Sequence, residues 1–335
     1  MRNFLDFEKP IADLEGKIEE LKHLSTSGDI NIAEEVGKLQ SKVERQLQSI
    51  YQKLTPWQTV QVARHPDRPH VKDILAAMIS DFMPLAGDRA FGDDAAVIGG
   101  LGRFRGRAVM VIGTEKGRDT DERLRHNFGM ARPEGYRKAQ RLITLANRFG
   151  LPVLTFVDTA GAYPGVDAEE RGQAEAIART IEVCLGAEVP IIVTIVGEGG
   201  SGGAVALAAG DYVMMLENAV YSVISPEGCA SILWRSAANA QEAAEALRMT
   251  AKDLLKLGVI DEIVSEPLGG AHRDPAAALT ALSDAVAGAL ATYGDRPAET
   301  LRADRRRKFI GLGGRSLSAS LWSPSRRRRR PKIAL

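Results

Sequence analysis

Apolar residues recur at two different periods along this chain, and the switch between them divides it. Across residues 10–24, Ile11, Leu14, Ile18 and Leu21 fall three or four apart, the spacing of one helix face. The polar stretch STSGD at 25–29 interrupts the pattern. It resumes with Ile32, Val36, Leu39, Val43, Leu47, Ile50 and Leu54, so residues 1–55 are expected to form a helical hairpin lying on the rest of this chain or on a partner. Thr55-Pro56 closes the second helix, and the arginines and two prolines of 57–70 predict a connector without long regular structure.

Residues 71–82 read as a helix. Short β-branched runs at 96–99 and 108–113, flanked by glycine-rich turns, predict a strand pair opening a sheet. In 135–149, Leu142, Leu145, Ala146 and Phe149 share a face opposite arginines, an amphipathic helix that Gly150-Leu151-Pro152 stops. VLTFV at 153–157 is a buried strand, 169–185 a helix, and 190–196 a second buried strand. A glycine-dense loop at 197–203, a short helix of small residues and a strand at 212–216 follow. Two successive strand–loop–helix units require parallel strands, with both loops at the carboxyl ends and on the same sheet edge. A helix at 240–257, a last strand in VIDEIVSEP and a helix at 274–293 complete an α/β core domain at 56–295.

The composition agrees with a globular protein, since 44% of 335 residues are apolar. No apolar run is expected to approach the roughly 18–20 residues of a membrane span, and MRNFLDFEKP carries acids where a signal peptide is apolar, which predicts a cytoplasmic protein. Cys184 and Cys229 are too few for a disulfide framework or a zinc ligand set and read as buried thiols, with no metal site in this chain. The formal charge of +1 conceals an asymmetry. Residues 301–335 hold twelve Lys and Arg against Asp304, leaving 32 basic against 42 acidic residues in the body. The Ser, Pro and Arg content of 296–335 predicts a disordered basic tail, whose run at 326–330 could meet nucleic acid or another polyanion, or simply stay solvated.

The candidate chemistry centres on GEGGSGG, which has five glycines in the seven residues 197–203. Gly197, Gly199 and Gly202 satisfy a dinucleotide fingerprint with Glu217 about 20 residues on, but barely two helical turns separate the loop from Gly210-Asp211. Gly199, Ser201 and Gly203 satisfy a nucleophile elbow, with Glu217 and His272 as further triad members. A phosphate P-loop lacks its Gly-Lys-Ser/Thr. Alternatively the peptide N–H groups are the chemistry: at a helix start, Gly202, Gly203 and Ala204 can donate to a developing oxyanion, one such donor contributing roughly 2.7–4 kcal/mol. The loop DTAGAYPG at 158–165 would form the second wall. Glycines that merely permit tight helix-on-strand packing are the remaining reading.

FVDTAGAYPGVDAEERGQAEAIAR, GEGGSGGAVALAAGD and YSVISPEGCASILW resemble the carboxyltransferase alpha subunits of bacterial acetyl-CoA carboxylase, in the crotonase and ClpP-like superfamily. The resemblance spans about residues 3–312, including WQTVQVARHPDRP, GDRAFGDD and EPLGGAHRDP. It implies a crotonase-like ββα superhelix and a biotin-dependent transferase that moves a carboxyl group from carboxybiotin to acetyl-CoA. The product would be malonyl-CoA, the first committed step of fatty-acid biosynthesis. It further implies an alpha2beta2 assembly with a zinc-bearing beta subunit, a biotin carboxyl carrier protein and biotin carboxylase. Mapped onto this chain, Gly202 and Gly203 are the oxyanion donors. Gly199, Gly200, Ser201, Gly161, Ala162, Tyr163 and Gly165 shape the substrate site. Lys116, Arg118, Arg123, Arg125, Arg137 and Lys138 are candidates for carrier or coenzyme A phosphates, or solvated helix faces. Two features depart from the family pattern: Ala160 stands where proline is usual, and residues 313–335 extend beyond it.

Overall fold

The computed structural model describes residues 3–24 and 30–315. Helix α1 (Lys9–Leu24) and α2 (Ile30–Tyr51) form the expected hairpin. Ile11, Leu14 and Ile18 of α1 are buried with Val43 and Leu47 of α2, pairing the start of one helix with the end of the other. The hairpin lies on this chain: Arg273 reaches Glu15 and, at 3.7 Å, Glu8, whose carboxylate also accepts the Tyr51 hydroxyl at 2.9 Å.

The segment expected to be a connector opens with a helix, α3 (Pro56–Ala63). Pro56 occupies the first turn, where no amide is needed, and Thr55 and Gln58 cap each other reciprocally. The helix expected over 71–82 is shorter. After α4 (Val71–Met78) the chain becomes strand β1 (Ile79–Pro84), which pairs antiparallel with β2 (Val97–Phe104), and β2 pairs antiparallel with β3 (Arg107–Thr114). A neighbouring strand edge overrides the helical spacing there.

Next come α5 (Thr120–Arg125), α6 (Pro133–Phe149), β4 (Val153–Thr159), α7 (Val166–Glu170) and α8 (Gln173–Gly186). They are followed by β5 (Ile191–Gly200), α9 (Ser201–Ala208), β6 (Tyr212–Leu216), β7 (Val220–Ser222) and α10 (Pro226–Trp234). The single helix expected at 240–257 is two, α11 (Ala240–Leu247) and α12 (Ala251–Leu257), because Arg248 turns left-handed and Thr250 caps a new helix. The last elements are β8 (Glu262–Val264), α13 (Pro275–Tyr293) and α14 (Ala298–Arg315).

The sheet order is β1-β2-β3-β4-β5-β6-β8, with β7 paired to the end of β5. From β3 onward every pairing is parallel, and β4 and β5 are buried along their whole length, as continuous apolar runs demand. Helices cover both faces. Gly99 leaves room for Leu142 of α6, while Gly113, one residue out of step with it, leaves room for Val71 of α4 on the opposite face.

Two expectations need correction. Helix α13 is long and apolar enough, by length and composition, to cross a membrane. Here it buries Ala278, Leu282, Val286 and Leu290 in the protein, while its Asp284 meets Arg105. The tail expected to be disordered from 296 is helical to Arg315. Arg305 is 1% exposed and ion-pairs with Asp211 at 2.6 Å while donating to the carbonyls of Cys184, Ala187 and Val189. A guanidinium with all its donors matched can be buried, and composition cannot distinguish it from a solvated arginine. The rest of the tail, including the basic run at 326–330, lies outside the described residues.

Candidate active site

The glycine segment expected as a loop is half strand and half helix. β5 runs through Gly200, and α9 starts at Ser201, whose left-handed φ of 52° turns the chain from one to the other. The conformation costs a non-glycine residue on the order of 1 kcal/mol and marks the junction as a place held by its surroundings.

Adding a Cβ at each glycine separates their roles. At Gly197 it would fall 2.7 Å from the Asp158 carboxylate, and at Gly199 2.9 Å from the Tyr221 ring on β7. At Gly200 it would fall 2.1 Å from the Ala160 carbonyl, and at Gly203 2.6 Å from the backbone of Gly161. These four glycines admit protein. Gly202 is different, for its nearest neighbour is Ile177 at 3.6 Å, ordinary contact, and the residue is partly exposed.

Gly202 and Gly203 are the second and third residues of α9, whose first amides have no intrahelical acceptor and no side-chain cap. The 158–165 loop stands against them, on the shared sheet edge that the crossover order requires. Thr159 Oγ accepts the Gly161 amide at 3.1 Å and donates to the Gly161 carbonyl at 2.8 Å. The Tyr163 amide donates to Ala131, Gln173 holds the Tyr163 carbonyl at 3.0 Å, and the Arg132 guanidinium lies 4.4 Å over the Tyr163 ring. Gly165 is needed because a Cβ there would strike that ring at 2.1 Å. Ala162, Tyr163, Ser201 and Gly202 therefore form a partly exposed rim, whereas Gly199, Gly200, Gly161 and Gly203 lie buried beneath it. Beside the rim, Val166, Val205 and Val223 are exposed apolar residues.

An ion-pair chain that spacing did not reveal lies behind both walls. Lys116 Nζ sits 2.8 Å from Asp158 and 3.4 Å from Glu198, and Arg64 bridges Glu198 at 2.7 Å to Glu227 at 2.6 Å. Burial works against the Lys116 charge, but the two carboxylates outweigh it and raise its pKa. His70 behaves alike, with burial more than offset by Glu115 at 2.9 Å. Arg64, His70, Lys116, Phe128, Asp158 and Glu198 contribute to the lining of a cavity of about 370 Å³ next to Ala160. Asp158 and Glu198 were visible as letters beside the glycines. Arg64, which pairs with Glu198 from 134 residues away, was not.

Other candidates divide. Arg137 binds Asp88 and Glu134, Lys138 is buried against Asp93, and Arg118 takes Asp73, so these are structural pairs. Arg123 and Arg125 have no carboxylate partner among the described residues. The triad of Ser201, Glu217 and His272 does not assemble. His272 stacks on His65 at 3.9 Å with neither ring nitrogen hydrogen-bonded, and Glu217 accepts the amide of Glu266. A dinucleotide helix is equally absent from the segment after Gly200, since α9 has 8 residues.

The fold defines the class. A solved structure of transcarboxylase 12S, with methylmalonyl-coenzyme A and methylmalonic acid bound, superposes with a TM-score of 0.56 at 20% identity. The match covers 69% of this chain and 43% of that one, less than half of the neighbour's length. That likeness is one of fold, a crotonase-like architecture that this chain shares with the transcarboxylase. The model of the family described as acetyl co-enzyme A carboxylase carboxyltransferase-like matches residues 4–313. The acetyl-coenzyme A carboxylase carboxyl transferase subunit alpha of Paramagnetospirillum magneticum is 64% identical over 316 residues, covering 94% of this chain and 100% of the relative. That of Rhodospirillum centenum is also 64% identical, over 94% of this chain and 99% of its own length. The chain belongs to the family of acetyl-CoA carboxylase carboxyltransferase alpha subunits.

Proposed function

We propose that this chain is the alpha half of a biotin-dependent carboxyltransferase that moves a carboxyl group to acetyl-CoA, yielding malonyl-CoA, with a beta subunit completing the site. The observation that carries the reading is the start of α9. The amides of Gly202 and Gly203 lie in its uncapped first turn, and Gly202 alone among the five glycines is partly exposed and would place a Cβ in no more than ordinary contact, 3.6 Å from Ile177. Near full-length identity to relatives named as alpha subunits supports it.

The open space fits a small anionic oxygen, as the ureido group of biotin provides. When bound through its carrier protein, biotin supplies the carboxyl group and an oxygen that bears negative charge once that group is given up. This chain's residues then do the following. Gly202 and Gly203 donate their amides to that oxygen, with the partial positive end of α9 behind them. Gly161, Ala162 and Tyr163 hold the opposite wall, so the oxygen meets preorganised donors at no cost in reorganisation. Gly199, Gly200 and Gly203 let the two walls approach, and Gly165 lets the Tyr163 ring pack. Ser201, left-handed, sets the direction of the first helical turn. Exposed Val166, Val205 and Val223 suit burial by the partner chain that would carry the acyl-CoA site.

The test is the purified complex of this chain with its beta subunit, assayed for carboxylation of free biotin by malonyl-CoA and with a panel of acyl-CoA thioesters without biotin. Biotin carboxylation with release of acetyl-CoA is expected. Turnover of the thioesters without biotin, and none with it, would contradict the proposal.

A further inference from the structure

The β4–β5 ladder breaks immediately before the glycine end. Val157 pairs with Ile195 and Thr159 with Gly199, so the single residue Asp158 stands opposite three residues, 196–198. Such a bulge disrupts the local ladder and re-aims the strand that carries it. Backbone groups left unpaired and buried there would each cost about as much as a lost hydrogen bond.

Two charged side chains take the vacated places. The Glu198 amide donates to Asp158 Oδ1 at 2.8 Å, and Arg68 Nη2 donates to the Val196 carbonyl at 2.8 Å. Each is fixed in turn, Asp158 Oδ1 by Lys116 at 2.8 Å and Arg68 by Glu266 at 2.7 Å. Gly197 lies between them, and a Cβ on it would occupy the space of the Asp158 carboxylate. On its other edge β5 keeps regular pairing, Glu198 with Val220 and Gly200 with Ser222. The end of β5 before α9 is therefore held by a normal ladder on one side and, on the other, by the Asp158 side chain together with the resumed Thr159–Gly199 pair.

We propose that Asp158 is a positioning residue of the carboxyltransferase site: its Oδ1 replaces the missing ladder acceptor and sets the offset that aims the amides of Gly202 and Gly203. The inference rests on the function proposed above. It requires an acceptor oxygen at position 158 for the Glu198 amide, while the Glu198 carboxylate, 3.4 Å from Lys116 Nζ, remains to hold that cation if the charge at 158 is removed. Asparagine can present that oxygen, and alanine cannot.

The experiment compares Asp158→Ala and Asp158→Asn in the complex with the beta subunit. It reads kcat and KM for malonyl-CoA-dependent biotin carboxylation and hydrogen exchange at the Glu198 amide. For Asp158→Ala, kcat should fall about 100-fold, the loss that a displacement of about 1 Å can cause, with KM for malonyl-CoA within threefold and faster exchange at Glu198. Asp158→Asn should keep kcat within threefold and keep the protection. An alanine variant with kcat within threefold overturns the proposal, as does an asparagine variant that loses about 100-fold. Should the alanine variant fail to assemble, the asparagine variant decides alone by the same two readings. A wild-type complex without activity would instead overturn the function, and the exchange at Glu198 would still report on the stitch.

Discussion

The glycines at the start of α9 divide between those packed against protein and the one left partly open, Gly202, on which the proposed function rests. A side chain at Gly203 strikes the Gly161 backbone and would displace the opposite wall, so a substitution there does not isolate the chemistry. Gly202 is the informative position. Gly202→Ala meets only Ile177 at 3.6 Å, and alanine inside a helix is about 1 kcal/mol more favourable than glycine. The account predicts a complex as stable as wild type or more so, with kcat reduced by roughly 10²-fold if the methyl denies an oxygen one donor. Thermal melting measured beside kcat checks this, and unchanged kcat would move the site away from Gly202.

His272 makes a second prediction at this scale. Burial foremost, then the His65 ring and Arg68, lower its pKa to about 3. The unfolded chain takes up this proton near pH 6.5 and the native chain does not, so stability is full above about 6.5 and declines as pH falls toward 3. Between pH 6.5 and 5.5 the loss should be about 1 kcal/mol. His70, raised by Glu115, has the opposite sign, its contribution being present below about 6.5 and lost as pH rises through its folded value. Denaturant unfolding across that pH interval should show a shallower slope for His272→Phe than for wild type. An identical slope would contradict the assignment.

At the level of elements, the helices and buried strands with strong periodicity were legible, and the failures share a cause. The hairpin, β4, β5 and β6 follow directly from the spacing of their apolar residues. β1 was hidden because 79–84 continues a helical pattern until the β2 edge is present to pair with it. α14 was hidden because five of its residues between 302 and 308 are basic, while the contact that orders it, Arg305 with Asp211, joins residues 94 apart. Arg305→Ala should lower the unfolding free energy by about 3–5 kcal/mol, since it strands a buried Asp211 carboxylate. A chain ending at residue 315 should lose none of this. Chemical denaturation of the two variants side by side checks the pair, and equal stability would show that α14 does not hold the base of β5.

Across the whole molecule, the crossover order told from sequence alone that both loops share a sheet edge, and the structure brings them into contact. What could not be read was the ladder break at Asp158 and the chain of charges from Arg64 to Lys116, because those depend on residues scores of positions apart meeting in three dimensions. The rim at 160–166 and 201–205 stays partly open, with apolar side chains beside it. An oxyanion site gains its strength from excluding water, so under the proposed function the open rim would be half of one. The most direct measurement is a titration of a fixed amount of this chain with the beta subunit, following malonyl-CoA-dependent carboxylation of free biotin. The account predicts no activity from this chain alone and a linear rise that saturates at equimolar partner. Biotin carboxylation by the isolated chain, undiminished by rigorous removal of the partner, would contradict it.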